Sequence, residues 1–248
     1  MMTTVPEPLP LLPEAALRRV LCVVAHPDDM EYGASAAVHA WARAGVEVTY
    51  FLLTSGEAGM ADAPDVIGPL RRAEQRDACD TVGVTDLRFG SQQDGVIEYS
   101  LVMRAEIAAV IREVRPDLVV TANFEVEAYG GLNQADHRAT GLAVIDAVRD
   151  AANPWVFRDQ IEQQGLEPFQ ARGLAVAGDE RPTHAKAVEE PDVHAAVASL
   201  RCHRAYLEHV TNHPVPEEFI PEALRSGGRA AGSEYAVLLR VFDLGGLG

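Results

Sequence analysis

The sequence predicts an α/β protein with a mainly parallel sheet and helices on both faces. Three observations carry this. Short runs such as Val20–Ala25 and Val46–Leu53 are continuously apolar and rich in β-branched residues, as strands buried on both faces are. Segments with the three-to-four-residue apolar spacing of amphipathic helices separate them. Polar, Gly-rich loops follow the strand ends, so strand and helix alternate along the chain.

In chain order, Met1–Leu17 is Pro-rich and is expected as an arm. Residues 19–25 form the first strand, and a helix follows from Glu31 to Arg43, stopped by Gly45. Val46–Leu53 is the second strand, and its loop Thr54-Ser55-Gly56-Glu57-Ala58-Gly59 lacks the Lys and spacing of a phosphate-binding loop or dinucleotide fingerprint. Pro69 at a first helical position opens a helix to Thr81, closed by Gly83. Leu87–Phe89 is a short strand, Leu101–Val114 a helix and Asp117–Thr121 the fourth strand.

A long loop, 122–134, precedes a helix that begins near His137 and ends at Ala152, with Leu142, Val144, Ile145 and Val148 on its apolar face. Residues 153–169 are less regular, and Leu174–Ala177 is expected to be the last short strand of the sheet. A helix over 191–209 follows, then a second over 215–225 and a loose linker at 227–232. Tyr235–Val241 is expected as an edge strand or as a tail that contacts a second copy of the chain. One domain with a peripheral C-terminal part accommodates all 248 residues.

Composition narrows the function. A formal net charge of −16 argues against nucleic acid and against an anionic membrane surface, both of which require clustered Lys and Arg. No apolar run approaches the roughly 20 residues of a membrane span, and the start lacks the basic region of a signal peptide. Cys22, Cys79 and Cys202 are too few and too scattered for a disulfide framework or a cysteine-based zinc cluster, which fits a cytoplasmic protein.

The chemistry concentrates where the first strand ends, at His26-Pro27-Asp28-Asp29. Carboxylates beside an apolar strand are costly unless a cation or hydrogen-bond donors hold them. A plain turn with Asp28 or Asp29 capping the next helix explains this stretch equally well on its own. A second cluster, Asn133-Gln134-Ala135-Asp136-His137-Arg138, also stands at a helix start and favours a site. Placed around one ion, His26, Asp29 and His137 make the three-ligand set of a catalytic zinc, with a fourth position for water whose pKa falls to about 7. Asp28, next to a ligand, is the candidate general base, and the set suits hydrolysis of an amide or ester. Two histidines and one carboxylate also describe non-haem iron oxygenases, and a metal-holding protein without turnover is a third class. The spare base and the parallel α/β pattern favour the hydrolase.

Ala25-His26-Pro27-Asp28-Asp29 together with Ala135-Asp136-His137-Arg138 resembles the PIG-L/LmbE-like deacetylases, with supporting matches at Thr54–Glu57, Leu70–Glu74, Gln93–Gly95 and Ser199–His203. The resemblance spans residues 19–210 and leaves 211–248 as an extension. It implies a Rossmann-like fold, zinc held by His26, Asp29 and His137, Asp28 as base, and a small-molecule N-acylated amino sugar as substrate. A mycothiol-conjugate-type amidase is the nearest alternative. Gln134 stands where the family usually has histidine; its amide can bind an oxyanion but cannot supply a proton. Gln134 and Asp136 join Asp28 as expected catalytic residues, with His203 or His184 as an alternative proton donor. Arg71, Asp94 and His203 are the expected substrate contacts, against Arg71 as a surface salt-bridge partner and His203 as a packed histidine, the reading favoured for His203.

Overall fold

The computed structural model describes residues 7–211 and 213–247. The elements run β1 (Arg19–Val24), α1 (Asp29–Gly33), α2 (Ser35–Arg43), β2 (Glu47–Leu52), α3 (Pro64–Val82), β3 (Asp86–Phe89), α4 (Leu101–Val114) and β4 (Leu118–Ala122). A two-stranded hairpin, β5 (Glu127–Ala128) and β6 (Gly131–Leu132), precedes α5 (Ala135–Ala152), α6 (Arg158–Glu162) and β7 (Gly173–Ala177). The chain finishes with β8 (His184–Val188), α7 (Glu190–Arg201), α8 (Arg204–His209), α9 (Pro216–Ala231) and β9 (Tyr235–Asp243).

Seven strands form one sheet in the order β3-β2-β1-β4-β7-β9-β8. The first five are parallel; β9 runs antiparallel to both β7 and β8. Alternate side chains of each strand enter two cores. One lies under α2, α7 and α9 around Trp41, Tyr50 and Leu200, and the other under α4 and α5 around Leu21, Ile107 and Val144. Burial on both faces is why the strands are apolar without alternation. From β1 the chain winds outward to β2 and β3, then returns to β4 on the other side of β1. The crevice between β1 and β4 is therefore the topological switch point, where open α/β sheets bind ligands.

Several expectations are corrected. The helix expected over 31–43 is two helices, bent at Ala34 (φ −146°). Helix α3 begins at Pro64, which takes the first-turn place assigned to Pro69, and Pro69 lies inside the helix. The helix expected over 191–209 breaks at Cys202–His203. Leu174–Ala177 is not the last strand of the sheet, because β8 and β9 follow. Tyr235–Val241 is neither an edge nor a free tail: it is paired on both sides, between β7 and β8.

Residues 227–232, expected as a linker, are helical up to Ala231. Gly227 and Gly228 are there for packing: a Cβ on either would come 2.2 or 2.4 Å from a backbone oxygen of residue 236 or 234. The C-terminal part thus occupies one end of the sheet as a structural member of it. Of the expected arm, residues 1–6 lie outside the described residues; Leu11 pairs with Ala185, and Leu12 and Leu17 are buried.

A candidate metal centre at the sheet switch point

His26 leaves β1 at its carboxyl end, and α1 begins three residues later. Asp28 occupies the position before that helix with φ +82°, a left-handed conformation that costs a non-glycine residue about 1 kcal/mol or more. Its side chain caps nothing, so the plain turn-and-cap explanation fails. Instead Asp29 turns back, and its Oδ2 accepts from the backbone N–H groups of Ala25 (3.0 Å) and His26 (2.9 Å). Its Oδ1 is left facing the crevice.

His137 arrives from the first turn of α5, on the far side of the loop after β4. Its Nε2 lies 3.1 Å from Asp29 Oδ1 and 3.3 Å from His26 Nδ1. The remaining nitrogens fix the tautomers. His137 Nδ1 donates to Asn133 Oδ1 (2.9 Å), whose amide is oriented because Nδ2 donates to the Asn123 and Glu125 carbonyls. His26 Nε2 lies 3.0 Å from Asp94 Oδ1 and 3.3 Å from Asp136 Oδ2, so it carries the proton. Two imidazole lone pairs and a carboxylate oxygen then converge with no hydrogen to share. Such a cluster is stable only around a cation or an added proton, and imidazoles backed by carboxylate or carbonyl oxygens are how proteins orient metal ligands.

His26, Asp94 and Asp136 form a second group with ligand atoms close enough for an ion. Its carboxylates are already engaged. Asp136 accepts from the Gly95 and Ile97 backbone N–H groups (2.7 and 3.1 Å), and Asp94 from that of Ala58 (2.7 Å). They support His26 from behind. Charge follows this layout. Burial opposes ionisation throughout, yet His137 and His26 hold Asp29 far below the usual carboxylate range. Reciprocally, their carboxylate partners carry both imidazoles above the usual histidine value.

Asp28 is in a different position. Burial pushes its carboxyl up to about 6, against the pull of Arg71. Arg71 Nη2 lies 3.1 Å from Asp28 Oδ2 and donates to the Pro27 carbonyl (2.7 Å), and Nη1 donates to the Gly56 carbonyl (3.3 Å). The guanidinium also lies 4.3 Å over the Tyr206 ring. A Cβ at Gly56 or Gly59 would come within 2.2 or 2.8 Å of Arg71 Nη1, which explains the glycines of the loop after β2. Gln75 Oε1 accepts from the Asp28 backbone N–H (3.0 Å).

These groups open into a cavity of about 470 Å³ lined by His26, Asp28, Asp29, Arg71, Asp94, Gln134 and His137, with Tyr32, Tyr129, Tyr206 and Phe219 around them. The structure therefore brings together the three expected ligands, Asp28, Arg71, Asp94 and Gln134. Arg71 is already committed to Asp28 and to backbone carbonyls. Asp136 is buried behind His26 and does not line the cavity, so its expected catalytic contact becomes a positioning one. His203 is the packed histidine and not the substrate contact: it is fully buried, does not line the cavity, and faces Glu31 (Nε2–Oε2 3.7 Å).

Sequence reasoning missed Asn133, Gln75 and the aromatic residues. Asn133 had a signal, standing one helical turn before His137 on the same face. The aromatic residues had none, because they come from four separate segments of chain.

A mainly parallel sheet with two histidines and a carboxylate converging at its switch point defines an α/β protein with side chains that could hold a metal ion. Residues 21–148 match the family described as PIG-L, GlcNAc-PI de-N-acetylase, and the chain belongs to that family. It is 30% identical over 172 residues to the diacetylchitobiose deacetylase of Thermococcus kodakarensis, covering 68% of this chain and 62% of that protein. The chain thus spans about three-fifths of that relative's length. It is also 30% identical, over 249 residues, to the 1D-myo-inositol 2-acetamido-2-deoxy-alpha-D-glucopyranoside deacetylase of Kineococcus radiotolerans, covering 75% of this chain and 68% of that one. The fold resembles that of N,N'-diacetylchitobiose deacetylase from Pyrococcus horikoshii, with a TM-score of 0.82, 22% identity, and coverage of 93% of this chain and 86% of that one. Among the described residues, no helix is long and apolar enough to cross a membrane.

Proposed function

We propose that the chain is a zinc-dependent hydrolase that removes an acyl group, in the simplest case acetyl, from the nitrogen of an amino sugar or its conjugate. The observation that carries this reading is the triangle of His26 Nδ1, Asp29 Oδ1 and His137 Nε2, opening into the same cavity as Asp28. The names of the two relatives, both deacetylases of N-acetylated sugars, support the choice of substrate class. Zinc bound by these three residues would polarise the acyl carbonyl and ease deprotonation of the attacking water.

Asp28 takes the proton of the attacking water and returns it to the nitrogen as the C–N bond breaks, giving a carboxylic acid and a free amine. A carboxyl held near 6 suits both transfers around neutral pH. Arg71 and Gln75 fix its direction, and the strained backbone at Asp28 is part of that aim. The Gln134 amide, on the cavity wall, donates a hydrogen bond to the carbonyl oxygen as it gains charge. Asn133, Asp94 and Asp136 hold the imidazoles in place. We place this activity in the cytoplasm, where free cysteines such as Cys22, Cys79 and Cys202 stay reduced.

The test is elemental analysis of the purified protein, followed by deacetylation assays on N-acetylglucosamine conjugates with added zinc and after chelation. Bound zinc and chelator-sensitive release of acetate are expected. Iron with 2-oxoglutarate-dependent oxygen uptake would overturn the reading in favour of an oxygenase, bound metal without turnover would overturn it in favour of a metal-holding protein, and no bound metal would overturn the zinc assignment itself.

A further inference from the structure

One hydroxyl on the wall of the candidate catalytic cavity has the direction of its proton fixed by its neighbours. Tyr32 lines the cavity from α1, three residues after Asp29 and so on the same face of that helix. Its hydroxyl oxygen lies 2.5 Å from His213 Nε2, and His213 Nδ1 lies 2.6 Å from the Pro214 carbonyl oxygen. A carbonyl oxygen only accepts, so in the neutral imidazole Nδ1 carries the proton and Nε2 holds a lone pair. The phenolic hydrogen therefore points at Nε2, and Tyr32 is left with the lone pairs of its oxygen. Burial and then the nearby Asp28 carboxylate push the phenol well above its ordinary value, so it keeps that hydrogen. Phe219 packs against the Tyr32 ring, with centroids 6.2 Å apart and planes tilted by 54°.

Charged groups of the same wall are already engaged. Arg71 holds Asp28 and two carbonyls, Asp94 faces His26 and accepts from the Ala58 N–H, and Asp29 faces His137. Resting on the hydrolase reading above, we propose that Tyr32 is a specificity-determining residue whose oxygen accepts a hydrogen bond from a hydroxyl of the amino sugar. His213 is the positioning residue that keeps that oxygen an acceptor. A hydroxyl is the fitting occupant because it is the donor that a sugar offers beside its amide. An ether, a carbonyl or a carboxylate would instead set lone pair against lone pair and leave the Tyr32 oxygen without a partner. His213 and Pro214 stand between α8 and α9, beyond the matched residues 21–148. This selectivity is thus supplied by a part of the chain that the family match does not include.

The experiment uses the zinc-loaded protein in weakly alkaline buffer, where free imidazole is neutral, and compares methyl N-acetylglucosaminide with its 3-, 4- and 6-deoxy analogues. A neutral hydrogen bond contributes about three- to tenfold, so one deoxy analogue should lose that much in kcat/KM. In Tyr32→Phe, which keeps the ring and removes the oxygen, the same analogue should come within twofold of the parent. No deoxy penalty in the wild type, or a penalty unchanged in Tyr32→Phe, overturns the inference, while hydrolysis of the parent leaves the hydrolase reading standing. The deoxyfluoro analogue at the same position accepts weakly and cannot donate, so the wild type should penalise it as heavily as the deoxy compound. His213→Leu releases the phenolic proton, and the fluoro-to-deoxy ratio of kcat/KM should rise at least twofold. An unchanged ratio overturns the role given to His213. If the parent is not hydrolysed, the hydrolase reading fails, and the same compounds are titrated calorimetrically onto the zinc-loaded protein. A deoxy penalty in Kd that disappears in Tyr32→Phe supports the site; absent binding, or a penalty that persists, overturns it.

Discussion

The candidate catalytic cavity and a second cavity of about 370 Å³ beside it share three aromatic rings, Tyr32, Tyr129 and Phe219, yet they are built on opposite plans. The first takes its chemical groups from the loops after β1 and β3, from α3 and from the start of α5, and hydrogen bonds hold several of them in place. The second takes its walls from α1, α2, α7, α9, β9 and the loop after β7, and its lining is mainly apolar, with Glu31, Ser35, Asp179 and Glu180 among it. The chemistry of the first therefore resides in a few side chains held by hydrogen bonds. The second is a surface that exists only once distant elements have packed. Damage to the first should appear in metal content and kcat, and damage to the second in stability.

The sharpest way to break this division is at the centre. His137→Ala should lose both metal and turnover. Asp28→Asn should keep the metal, by elemental analysis, while kcat falls by roughly 10²–10⁴. Undiminished turnover in the Asp28 variant would defeat the general-base assignment. One step outward, Asn133→Ala and Asp136→Asn should each weaken metal affinity about 10–100-fold, read by competition with a chelator.

Arg71→Met tests the coupling around the base. The guanidinium favours the ionised form of Asp28, so removing it raises the carboxyl above about 6. Activity that needs the carboxylate must then fail at a higher pH, and the acid limb of kcat/KM should move upward. A limb that stays in place would mean that Arg71 does not set the state of Asp28. The smallest effect on turnover belongs to the side of the second cavity. Gly228→Val should destabilise the fold by about 1–3 kcal/mol in urea titration, through the close approach of α9 to the backbone at Glu234. It should spare metal binding, and loss of metal in that variant would blur the boundary drawn here.

The sequence was easiest to read where local pattern and tertiary role coincide. The parallel strands could be predicted because two-sided burial leaves an apolar run that needs no partner to be recognised. His26 and Asp29 could be paired because a strand end followed by Pro27 and a short helix turns both toward one crevice. Legibility fell wherever a residue's role depended on something far away in the chain. The Gly227–Gly228 pair looks like a linker until the backbone of residues 234–236 is seen against it. His203 looks like a site histidine until its burial behind Glu31 is known. Arg71 looks available to a substrate until Asp28 and two carbonyls are found to occupy it.

By itself the sequence determined the class of sheet and the family and pointed to the residues of the candidate metal centre, since each is encoded in contiguous runs of a few residues. Only the tertiary structure decided which nitrogen of each histidine faces the crevice, which polar residues support and which face the cavity, and that a second cavity lies beside it. The physical reason is range. Strand burial and turn chemistry act over neighbouring residues, whereas a cavity wall and the His26 tautomer are set by atoms that folding brings together from distant positions, Asp136 lying 110 residues from His26.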